Sequence, residues 1–423
     1  MAQTGLNRWI VVLSKKIVIA GAGIGGLCAA LALAKRGFQV AVYEQSLHLG
    51  EIGAGLQLSP NSMHVLQALG IADEVKAKAF IPTSAVMRHY QTGKKYFTVP
   101  LADTARQKYG ANYLHIHRAD LHTVLRCACE KLNVSIHLGQ AIKSYQHSPQ
   151  NLAPNNLTLR NLTIQFENSE NSENLEADVL IGADGIKSHV QSCMLGQTPA
   201  EFTGQVAWRG VVEANKLPKG LIQSNANLWV GPGKHFVSYY LRGGNLVNFV
   251  AVQERTDWQK ESWNEPGDIN ELRDTFEDWH PEVTELLGAT KSCFLWALFD
   301  RQPLTQWTDR SVALLGDACH PMLPFLAQGA AMAIEDSYAL AHCLANDNDT
   351  QTALKSYQNI RLTRTSNIQL AARKNADLYH MSSPLAQAKL AVLSGLSNLG
   401  ISDRVAVNKL DFIYAYNIVE QLN

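Results

Sequence analysis

The sequence predicts an α/β protein that combines a parallel-sheet unit, a separate antiparallel sheet and a helical C-terminal part. Three observations support this prediction. Residues 16–44 run through strand, glycine-rich turn, helix and strand, residues 200–300 are mainly strand-like, and residues 351–423 show helical patterns. Strands that alternate with helices form parallel sheets, whereas runs of strands form antiparallel ones, so we expect two different layers in one chain.

Length and composition limit the possible functions. The chain has 423 residues, of which 46% are apolar, enough for two domains with sizeable cores. Lysine plus arginine and aspartate plus glutamate both number 37, without the basic surplus that is typical of nucleic-acid-binding proteins. No nucleic-acid partner is therefore expected.

Cysteine and histidine usage predicts neither disulfides nor a metal site. The seven cysteines are odd in number and scattered, which favours free thiols in a reducing cytoplasm. No pair among the fourteen histidines has metal-ligand spacing with a carboxylate partner, and His115 and His117 lie on a strand-like run with a structural role. We expect a cytoplasmic protein without a bound metal.

An uncharged stretch of 18 residues, 17–34, has the length of a marginal membrane span. Four glycines among the six residues 21–26 would interrupt a continuous helix there at considerable cost. A buried parallel strand followed by a tight turn and a helix needs the same apolarity. We therefore expect no membrane span.

Hydrophobic periodicity and turn residues predict the individual elements. In chain order these are a strand at 16–20, a helix at 25–36, a strand at 39–44, a helix after residues 59–61, a hairpin over 83–100, a helix at 116–132, a strand at 134–139, a hairpin at 157–167, a strand at 178–181, several strands between 205 and 252, a helix at 268–288, and a strand at 311–315 whose following loop leads into a long helix.

The glycine-rich turn predicts a dinucleotide site. Residues 21–26, GAGIGG, fit the pattern G-x-G-x-x-G between a strand and a helix. Gly21 permits the tight turn, Gly23 lets the backbone approach a pyrophosphate, and Gly26 lets the helix pack on the strand. Ile24, within the turn, is also predicted to bind the cofactor. The helix N-terminus offers free N–H groups and a partial positive charge to the phosphates. Glu44 ends the next strand, 18 residues past Gly26, where a carboxylate can bind a ribose diol. This pattern alone does not distinguish NAD from FAD.

Two later segments identify the dinucleotide as FAD. Asp184-Gly185 closes another predicted strand, and Gly316-Asp317 closes a third. Together with the glycine turn they resemble the three-part fingerprint of the flavoprotein aromatic hydroxylases, the single-component FAD-dependent monooxygenases, from residue 16 to about 375. The resemblance implies a fold like that of p-hydroxybenzoate hydroxylase, in which a Rossmann-like FAD-binding domain is interleaved with an antiparallel-sheet substrate domain.

This fold implies the following division of the chain: residues 1–80 form the FAD-binding βαβ unit, 81–105 a substrate-domain hairpin, 106–198 more of the FAD-binding domain, 199–300 the antiparallel substrate domain, 301–350 the flavin-contacting loop and helix, and 351–423 the C-terminal helices.

The resemblance also implies which later residues bind FAD. Asp317 would hold a ribityl hydroxyl, Arg118 would lie over the phosphates unless it is a solvated residue at a helix start, and Asp184 would touch FAD and the nicotinamide unless it only caps the loop after it. The helix that opens near residues 328–331 would direct N–H groups at the flavin's pyrimidine edge. The remaining predicted cofactor-binding residues are Ile142, Gln328, Gly329 and Ala330.

Four phrases resemble the salicylate hydroxylase and 3-hydroxybenzoate 6-hydroxylase branch, namely GEIGAGLQLSPNS, AWRG, GPGKHFVSYYLRGG and GDACHPMLPFLAQGA. In that branch the histidine and tyrosine of GPxxHxxxY face the substrate, which implies that His235 and Tyr239 are the catalytic residues. Residues four apart on a strand share a face, and histidine titrates near working pH, so His235 is suited to accept a phenolic proton. A histidine hydrogen-bonded within the sheet is the alternative.

The sequence features divide on the substrate. Pro324 stands where 3-hydroxybenzoate 6-hydroxylases carry a glutamine, and salicylate hydroxylases share the proline, whereas His320-Pro321 and residues 327–329 are more similar to the 3-hydroxybenzoate type. Salicylate, converted to catechol, is the first prediction; 3-hydroxybenzoate, a hydroxypyridine or a quinolone is the alternative. Arg209 or Arg242 could pair with a substrate carboxylate, or either could be a sheet-surface charge.

The reaction that the resemblance implies uses NAD(P)H and O2. Hydride reduces FAD, O2 forms a C4a-hydroperoxyflavin, and the phenolate ring attacks its distal oxygen. The sequence shows no second dinucleotide fold, so NADH or NADPH would bind without a dedicated domain. A dinucleotide-binding sensor without turnover is the distant alternative, and a homodimer through the apolar C-terminal helices is a further expectation.

Overall fold

A computed structural model describes residues 15–49, 55–148, 161–167, 174–197, 200–256, 265–381, 383–397 and 401–423. The helices in these ranges include none that is both long and apolar enough to cross a membrane. The strands, in chain order, are β1 Lys16–Ala20, β2 Gln39–Glu44, β3 Gly55–Leu58, β4 Ser84–His89, β5 Lys95–Pro100, β6 Leu114–His117, β7 Ser135–Leu138, β8 Ile142–His147, β9 Leu162–Phe166, β10 Leu175–Ala177, β11 Val179–Gly182, β12 Glu201–Glu213, β13 Asn225–Gly231, β14 Lys234–Leu241, β15 Leu246–Glu254, β16 Glu265–Gly267, β17 Cys293–Asp300, β18 Thr308–Asp309 and β19 Val312–Leu314.

The α-helices, in chain order, are α1 Ile24–Ala34, α2 Pro60–Ala68, α3 Ala72–Lys78, α4 Ala102–Tyr109, α5 Arg118–Lys131, α6 His189–Leu195, α7 Ile269–Thr275, α8 Pro281–Ala289, α9 Gly329–Asn346, α10 Thr350–Tyr379, α11 Pro384–Ser397, α12 Ile401–Tyr414 and α13 Ile418–Leu422.

A six-stranded sheet lies at the centre of the first layer, in the order β18-β19-β11-β1-β2-β7. Its neighbouring strands are parallel except for the β18–β19 pair. Ile17, Val18 and Ile19 on β1 have no exposed surface, because helices cover both faces of such a sheet. Nine of the eleven residues of α1 are buried, where α1 packs on α5 and α9. The uncharged stretch 17–34 is therefore the core of this layer.

An eight-stranded sheet forms the second layer, in the order β16-β17-β12-β15-β14-β13-β4-β5. All neighbours are antiparallel except β13 and β4. One face, which includes Phe236 and Phe249, packs on α7 and α8. His235 precedes Phe236 on β14, and because side chains alternate along a strand it lies on the opposite face. The second layer thus has one face filled by helices and one face directed at the rest of the molecule.

The open face of this sheet carries one row of side chains across four strands. His235 on β14 is opposite Val252 on β15, Val252 is opposite Ala207 on β12, and Ala207 is opposite Trp296 on β17. Directly opposed residues of antiparallel strands share a face. His235 and Trp296 therefore face the same space.

Two predicted helices are each broken in two. The helix predicted at 268–288 consists of α7 and α8, because His280 precedes Pro281, and a residue before proline is disfavoured in the α conformation. The helix after Pro60 ends before Gly70, whose φ is +73°, and α3 starts anew. Strand β3 was not predicted; it pairs with β6.

The hairpin predicted at 157–167 is confirmed only in part. Residues 157–160 lie outside the described residues, and β9 is the middle strand of a small antiparallel sheet with order β10-β9-β8. The helices α11 and α12 pack against β5 at the edge of the eight-stranded sheet, while α13 packs on α2 and α9. The helical C-terminal part was predicted correctly.

Candidate functional site

The glycine turn between β1 and α1 has a different steric requirement at each glycine. Gly21 has a φ of +98°, and a Cβ there would lie 2.4 Å from the carbonyl oxygen of Ala183. A Cβ on Gly26 would lie 2.0 Å from the carbonyl oxygen of Gly21. A Cβ on Gly23 would meet no atom within 4 Å. The turn needs Gly21 and Gly26 for its own packing, whereas Gly23 opens onto space that a ligand can occupy.

Glu44 lies directly against this turn. One carboxylate oxygen accepts a hydrogen bond of 2.7 Å from the Ala22 N–H, and the other accepts one of 2.9 Å from the Ser46 N–H. Each carboxylate oxygen has a second lone pair. Glu44 is therefore held rigidly beside the turn and can still accept hydrogen bonds from a diol.

The turn and two helix starts form an electropositive corner. No side chain caps the N-terminus of α1, so its first N–H groups face the space above Gly23. Helix α5 begins at Arg118, and one turn later the imidazole Nε2 of His122 lies 2.8 Å from the Ala22 carbonyl oxygen. His122, which the sequence analysis missed, ties α5 to the turn. Its position four residues after Arg118, on the same helical face, was the available signal.

Asp317 follows β19 and borders a cleft. The side chain is exposed, whereas its neighbours Gly316 and Ala318 are buried. Protein surrounds the carboxylate on its other sides, and this desolvation raises the pKa of Asp317 against the lowering effects of His320 and Arg118. The lowering effect of Arg118 places that guanidinium near Asp317. A carboxylate exposed only toward a cleft is suited to bind hydroxyl groups of a ligand.

The structure gives Asp184 a capping role. Its carboxylate accepts hydrogen bonds from the Ser188 hydroxyl at 2.5 Å and from the N–H groups of His189 at 2.8 Å and Val190 at 3.2 Å. Burial raises the pKa of Asp184, and these hydrogen bonds lower it. The loop before α6 therefore depends on Asp184. Contact with the cofactor or the nicotinamide stays a prediction for this residue.

Helix α9 starts at Gly329, and no side chain caps it. The predicted site residues Gly329 and Ala330 therefore contribute backbone N–H groups at an open helix end. Gln328 has a different use for its side chain, whose Nε2 donates to Ser59 Oγ at 2.9 Å and whose Oε1 accepts from Asn61 at 3.1 Å. Only the backbone of Gln328 can face the cleft.

A buried ionic network fixes the position of α9. The Arg361 guanidinium on α10 lies 2.6 Å from Glu335 and 2.7 Å from Asp336, and all three side chains are fully buried. Asp336 also contacts His320 Nε2 at 2.5 Å. Cys319, His320 and Asp336 offer ligand atoms within 4.8 Å of one another, but Arg361 already neutralises Asp336 and would repel a cation. This cluster therefore joins the cleft loop to α9 and α10 by ion pairs.

These features fit FAD. The space above Gly23 and the uncapped start of α1 suit a pyrophosphate, Glu44 suits a ribose, and Asp317 with the start of α9 suits the ribityl chain and the flavin edge. The side chain of Ile142 is a hydrocarbon without polar atoms, and it is 6% exposed and packs into the core. Its predicted contact with the cofactor is limited to the backbone.

The cleft beside Asp317 continues to the open face of the eight-stranded sheet. It encloses a cavity volume of about 110 Å³, within about 630 Å³ of empty space that includes the part open to solvent. Trp296 and Leu298 from β17 form one wall, and residues 321–324 form the other. The cleft is mainly apolar and lies between the loop that carries Asp317 and the sheet that carries His235. Such a cleft suits a flat aromatic molecule.

His235 lies on this open face of the eight-stranded sheet. It is 3% exposed, and its ring lies 5.2 Å from the ring of Phe325 and 5.4 Å from that of Tyr379, centre to centre. Its Nδ1 is 2.7 Å from Nε2 of His380, the residue after α10. Burial lowers the pKa of His235 well below its usual value, and His380 lowers it further. His235 is therefore neutral, and its unprotonated ring nitrogen can accept a hydrogen bond.

Tyr239, Arg209 and Arg242 are the other residues that were predicted to contact the substrate. Tyr239 is buried against Gly55, with its ring 4.5 Å from that of His115, and burial raises its pKa. Arg209 is buried on the same face, with its guanidinium 4.9 Å from the ring centre of Trp296. Arg242 instead forms a two-point ion pair with Asp120, at 2.8 and 2.9 Å. Of the two predicted carboxylate partners, Arg209 is the one on the face of His235.

The fold and these features define a class of protein: an FAD-binding oxidoreductase with an aromatic-sized cleft next to the cofactor site. Comparison with known proteins agrees. The chain matches the FAD binding domain family over residues 14–371 and belongs to it.

Two relatives and one solved structure narrow the kind of enzyme within this family. The chain is 37% identical over 368 residues to the 3-hydroxybenzoate 6-hydroxylase of Polaromonas naphthalenivorans, covering 86% of this chain and 88% of that protein. It is 35% identical over 383 residues to 3-hydroxybenzoate 6-hydroxylase 1 of Aquipseudomonas alcaligenes, covering 90% and 94%. Klebsiella pneumoniae HpxO, solved with FAD and uric acid, is 25% identical with a TM-score of 0.80, covering 95% and 97%.

The chain is thus an FAD-dependent aromatic monooxygenase of the flavoprotein hydroxylase class, which uses NAD(P)H as co-substrate. The predicted class, fold and cofactor are confirmed. The structure brings Gly21, Gly23, Ile24, Gly26 and Glu44 together at one turn, and places Asp317 and Arg118 near each other. The individual roles of these residues remain predictions.

Proposed function

We propose that this enzyme hydroxylates a benzoate that carries one ring hydroxyl, with 3-hydroxybenzoate as the favoured substrate. The relatives named for 3-hydroxybenzoate support this choice, at 35–37% identity over most of both chains. The observation that carries the proposal is a buried, neutral histidine, His235, on the sheet face that borders an apolar cleft beside the FAD site.

In this proposal His235 accepts the proton of the substrate's hydroxyl group. A phenolate ring is far more electron-rich than a phenol, mainly at the positions ortho and para to the oxygen. C6 of 3-hydroxybenzoate is para to its hydroxyl group, so deprotonation activates that carbon. When bound, FAD reduced by NAD(P)H would activate O2, one atom of which is the electrophilic oxygen. His235 contributes by general-base catalysis, which is typically worth about 10²- to 10⁴-fold in rate.

The apolar walls of the cleft keep water away from the reacting ring. Trp296 and Leu298 on the sheet and Leu323 on the facing loop would pack against the two ring surfaces. Arg209 is the arginine that we propose for the substrate carboxylate, because it is buried on the same sheet face. Tyr239 would order the far side of the pocket through its packing with His115.

Salicylate is the second candidate, and Pro324 favours it. Pro324 lines the cleft and has no side-chain hydrogen-bond donor or acceptor with which to address a substrate. In salicylate the carboxylate-bearing carbon is ortho to the hydroxyl, so attack there would release CO2 and give catechol. The two substrates therefore differ in their products as well as in their fit.

A substrate panel tests the proposal. Purified holoenzyme would be mixed with 3-hydroxybenzoate, salicylate, 4-hydroxybenzoate and 6-hydroxynicotinate, with benzoate as the control, and both NADH oxidation and the product would be measured. We expect 2,5-dihydroxybenzoate from 3-hydroxybenzoate in a one-to-one ratio with NADH. Catechol and CO2 from salicylate at a higher kcat/KM would establish the second candidate. If no phenolic acid stimulated NADH oxidation or was hydroxylated, the proposed substrate class would be wrong.

We further propose a division into domains, a dimer interface and a cellular location. We propose that the two large sheets represent two interleaved domains, the parallel one for FAD and the antiparallel one for substrate. A homodimer through α11 and α12 is supported by exposed apolar side chains there, including Leu385, Val392 and Phe412, and light scattering would test it. A cytoplasmic location agrees with the seven free cysteines.

A further inference from the structure

Behind His235, three side chains form a continuous hydrogen-bonded chain to the protein surface. His235 Nδ1 is 2.7 Å from His380 Nε2, and His380 Nδ1 is 3.0 Å from Glu254 Oε1. His235 is 3% exposed and the His380 side chain is fully buried, whereas the Glu254 side chain is 46% exposed. The polar groups thus lead from the buried sheet face to solvent in two steps.

The backbone of one residue, Gly233, holds the segments that carry these three residues in place. The Gly233 N–H donates to the His380 carbonyl oxygen at 2.8 Å, and the Gly233 carbonyl oxygen accepts from the Glu254 N–H at 2.9 Å. Gly233 has a φ of +65°, a conformation that favours glycine. The turn of the GPGKH segment therefore fixes α10 and β15 against β14, although His235, His380 and Glu254 come from three different elements.

Two properties make this series of hydrogen-bonded side chains suitable for proton movement. Each histidine uses Nδ1 and Nε2 on opposite sides of its ring, so a proton can enter at one nitrogen while another leaves from the second. No described residue forms a hydrogen bond to Nε2 of His235, so this nitrogen is the one that can meet a substrate hydroxyl. The Glu254 carboxylate can only accept a hydrogen bond, so we assign the proton of His380 to Nδ1. Nε2 of His380 is then unprotonated and accepts a hydrogen bond from the Nδ1–H of His235.

We propose that Glu254 and His380 form, with His235, a relay that carries the proton of the bound phenolic substrate to solvent. This inference rests on the proposed function. The substrate O–H bond breaks and its proton binds Nε2 of His235; the Nδ1 proton of His235 passes to Nε2 of His380; and the Nδ1 proton of His380 passes to the Glu254 carboxylate. Both rings end neutral, the substrate is a phenolate, and Glu254 releases the proton to water.

The surroundings of the relay disfavour a protonated, positively charged imidazole and favour passage of the proton through neutral rings. Burial lowers the pKa of His380, while Glu254 and Asp377 raise it. The rings of Phe325 and Tyr379 flank His235, and Gln205 Nε2 lies 3.5 Å from His380 Nδ1, which is long for a hydrogen bond. A positive charge on either imidazole would be poorly solvated here. Concerted movement through neutral rings avoids that cost.

The test uses two near-isosteric variants and a matched control. Glu254→Gln removes the terminal acceptor at a half-exposed position, and His380→Gln interrupts the middle. Glu213→Gln makes the same change to an exposed carboxylate on β12 of the same sheet, outside the relay. Each holoenzyme would be mixed without NAD(P)H with 3-hydroxybenzoate in weak buffer. Stopped-flow absorbance of a pH indicator and of the phenolate band would follow the proton.

We expect wild type and Glu213→Gln to release a proton on binding, and both relay variants to do so roughly 10- to 100-fold more slowly, with unchanged flavin content and substrate Kd. Added acetate should restore the rate in Glu254→Gln, whose site is open to solvent, but not in His380→Gln. A structural defect would not respond to acetate in this way.

The outcomes separate the relay from the proposed function. Full-rate proton release and hydroxylation in both variants would overturn the relay and leave the proposed function intact. Wild-type hydroxylation without any proton release on binding would also overturn it. If no phenolic acid binds or is hydroxylated by wild type, the proposed function falls and the relay with it.

Discussion

At the scale of single residues, chemistry and packing make different demands on similar side chains. Gly21, Gly23 and Gly26 belong to one motif, yet a Cβ would collide with backbone at Gly21 and Gly26 and with nothing at Gly23. His122 and His235 are both buried, yet His122 holds the FAD turn, whereas His235 lies on the open face of the eight-stranded sheet next to His380. Residue type alone does not distinguish these roles, because they depend on what lies beyond the side chain.

The glycine turn yields a prediction with an internal control. Gly23→Ala should leave the stability of the apoprotein unchanged, because its Cβ has free space, but weaken FAD binding by about tenfold or more where the pyrophosphate approaches. Gly26→Ala should destabilise the apoprotein by roughly 1–3 kcal/mol, because its Cβ would meet the Gly21 carbonyl. Thermal unfolding and flavin titration measure the two effects. Equal loss of stability in both variants would contradict this assignment.

His235→Ala should lower the hydroxylation rate by roughly 10²-fold or more while FAD remains bound, because the variant loses the proposed base without altering the turn that binds the cofactor. Product formation and flavin absorbance provide the two readouts. NADH oxidation should continue with release of H2O2 instead of hydroxylated product. A hydroxylation rate in His235→Ala equal to that of wild type throughout pH 6 to 9 would remove His235 from the proposed mechanism.

At the scale of elements, α9 and α10 are positioned by buried charge. Arg361 joins them through Glu335 and Asp336, and Asn61 on α2 donates a hydrogen bond of 2.6 Å to Glu335. The amphipathic pattern predicts that these helices exist but not which buried charges align them. The same limit applies to α7 and α8, where the pattern suggested one helix and a single proline produced two.

Removal of Arg361 tests the ionic network. Arg361→Leu should lower the free energy of unfolding by about 3–5 kcal/mol, because Glu335 and Asp336 would remain buried without their partner. Arg126→Leu breaks the exposed pair with Glu130 and serves as the control, with an expected loss of at most about 0.5 kcal/mol. Urea denaturation measures both. A loss below about 1 kcal/mol for Arg361→Leu would show that the cluster does not support the fold.

At the scale of the whole molecule, buried neutral histidines link stability to pH. Burial lowers the pKa of His115 from 6.5 to about 3, and Tyr113 and Tyr239 pack around it. Above pH 6.5 the residue is neutral in both the folded and the unfolded chain and has no effect on stability. Between pH 6.5 and 3 the unfolded chain binds a proton that the folded chain does not. Acidification therefore favours unfolding.

We expect the free energy of unfolding to fall by about 1.4 kcal/mol per pH unit for each such histidine below its normal pKa. His115→Phe should reduce this slope, whereas His189→Gln, at a side chain that is 54% exposed, should leave it unchanged. Urea denaturation at pH 7.5, 6.5 and 5.5 checks the prediction. A slope that is the same in wild type and His115→Phe would show that His115 is protonated within the fold.

The sequence by itself determined the FAD turn, the class of enzyme and the two layers of sheet. These features are encoded in contiguous segments: the turn at residues 21–26, the strand that ends at Glu44 and the loop that follows Gly316. Local spacing is sufficient there, because each motif lies within one strand, turn and helix. The segment around His235 also predicted that residue as a catalytic candidate, though not the partners of its side chain.

Only the tertiary structure decided what surrounds the cleft. His235 and His380 are 145 positions apart, and His380 and Glu254 are 126 apart, so no local pattern connects them. The tertiary structure also shows that the Asp184 side chain forms hydrogen bonds at the start of α6. The Gln328 side chain forms hydrogen bonds with Ser59 and Asn61. The physical reason is that hydrogen bonds and buried charges act over about 3 Å in space, whereas the sequence records only the order along the chain.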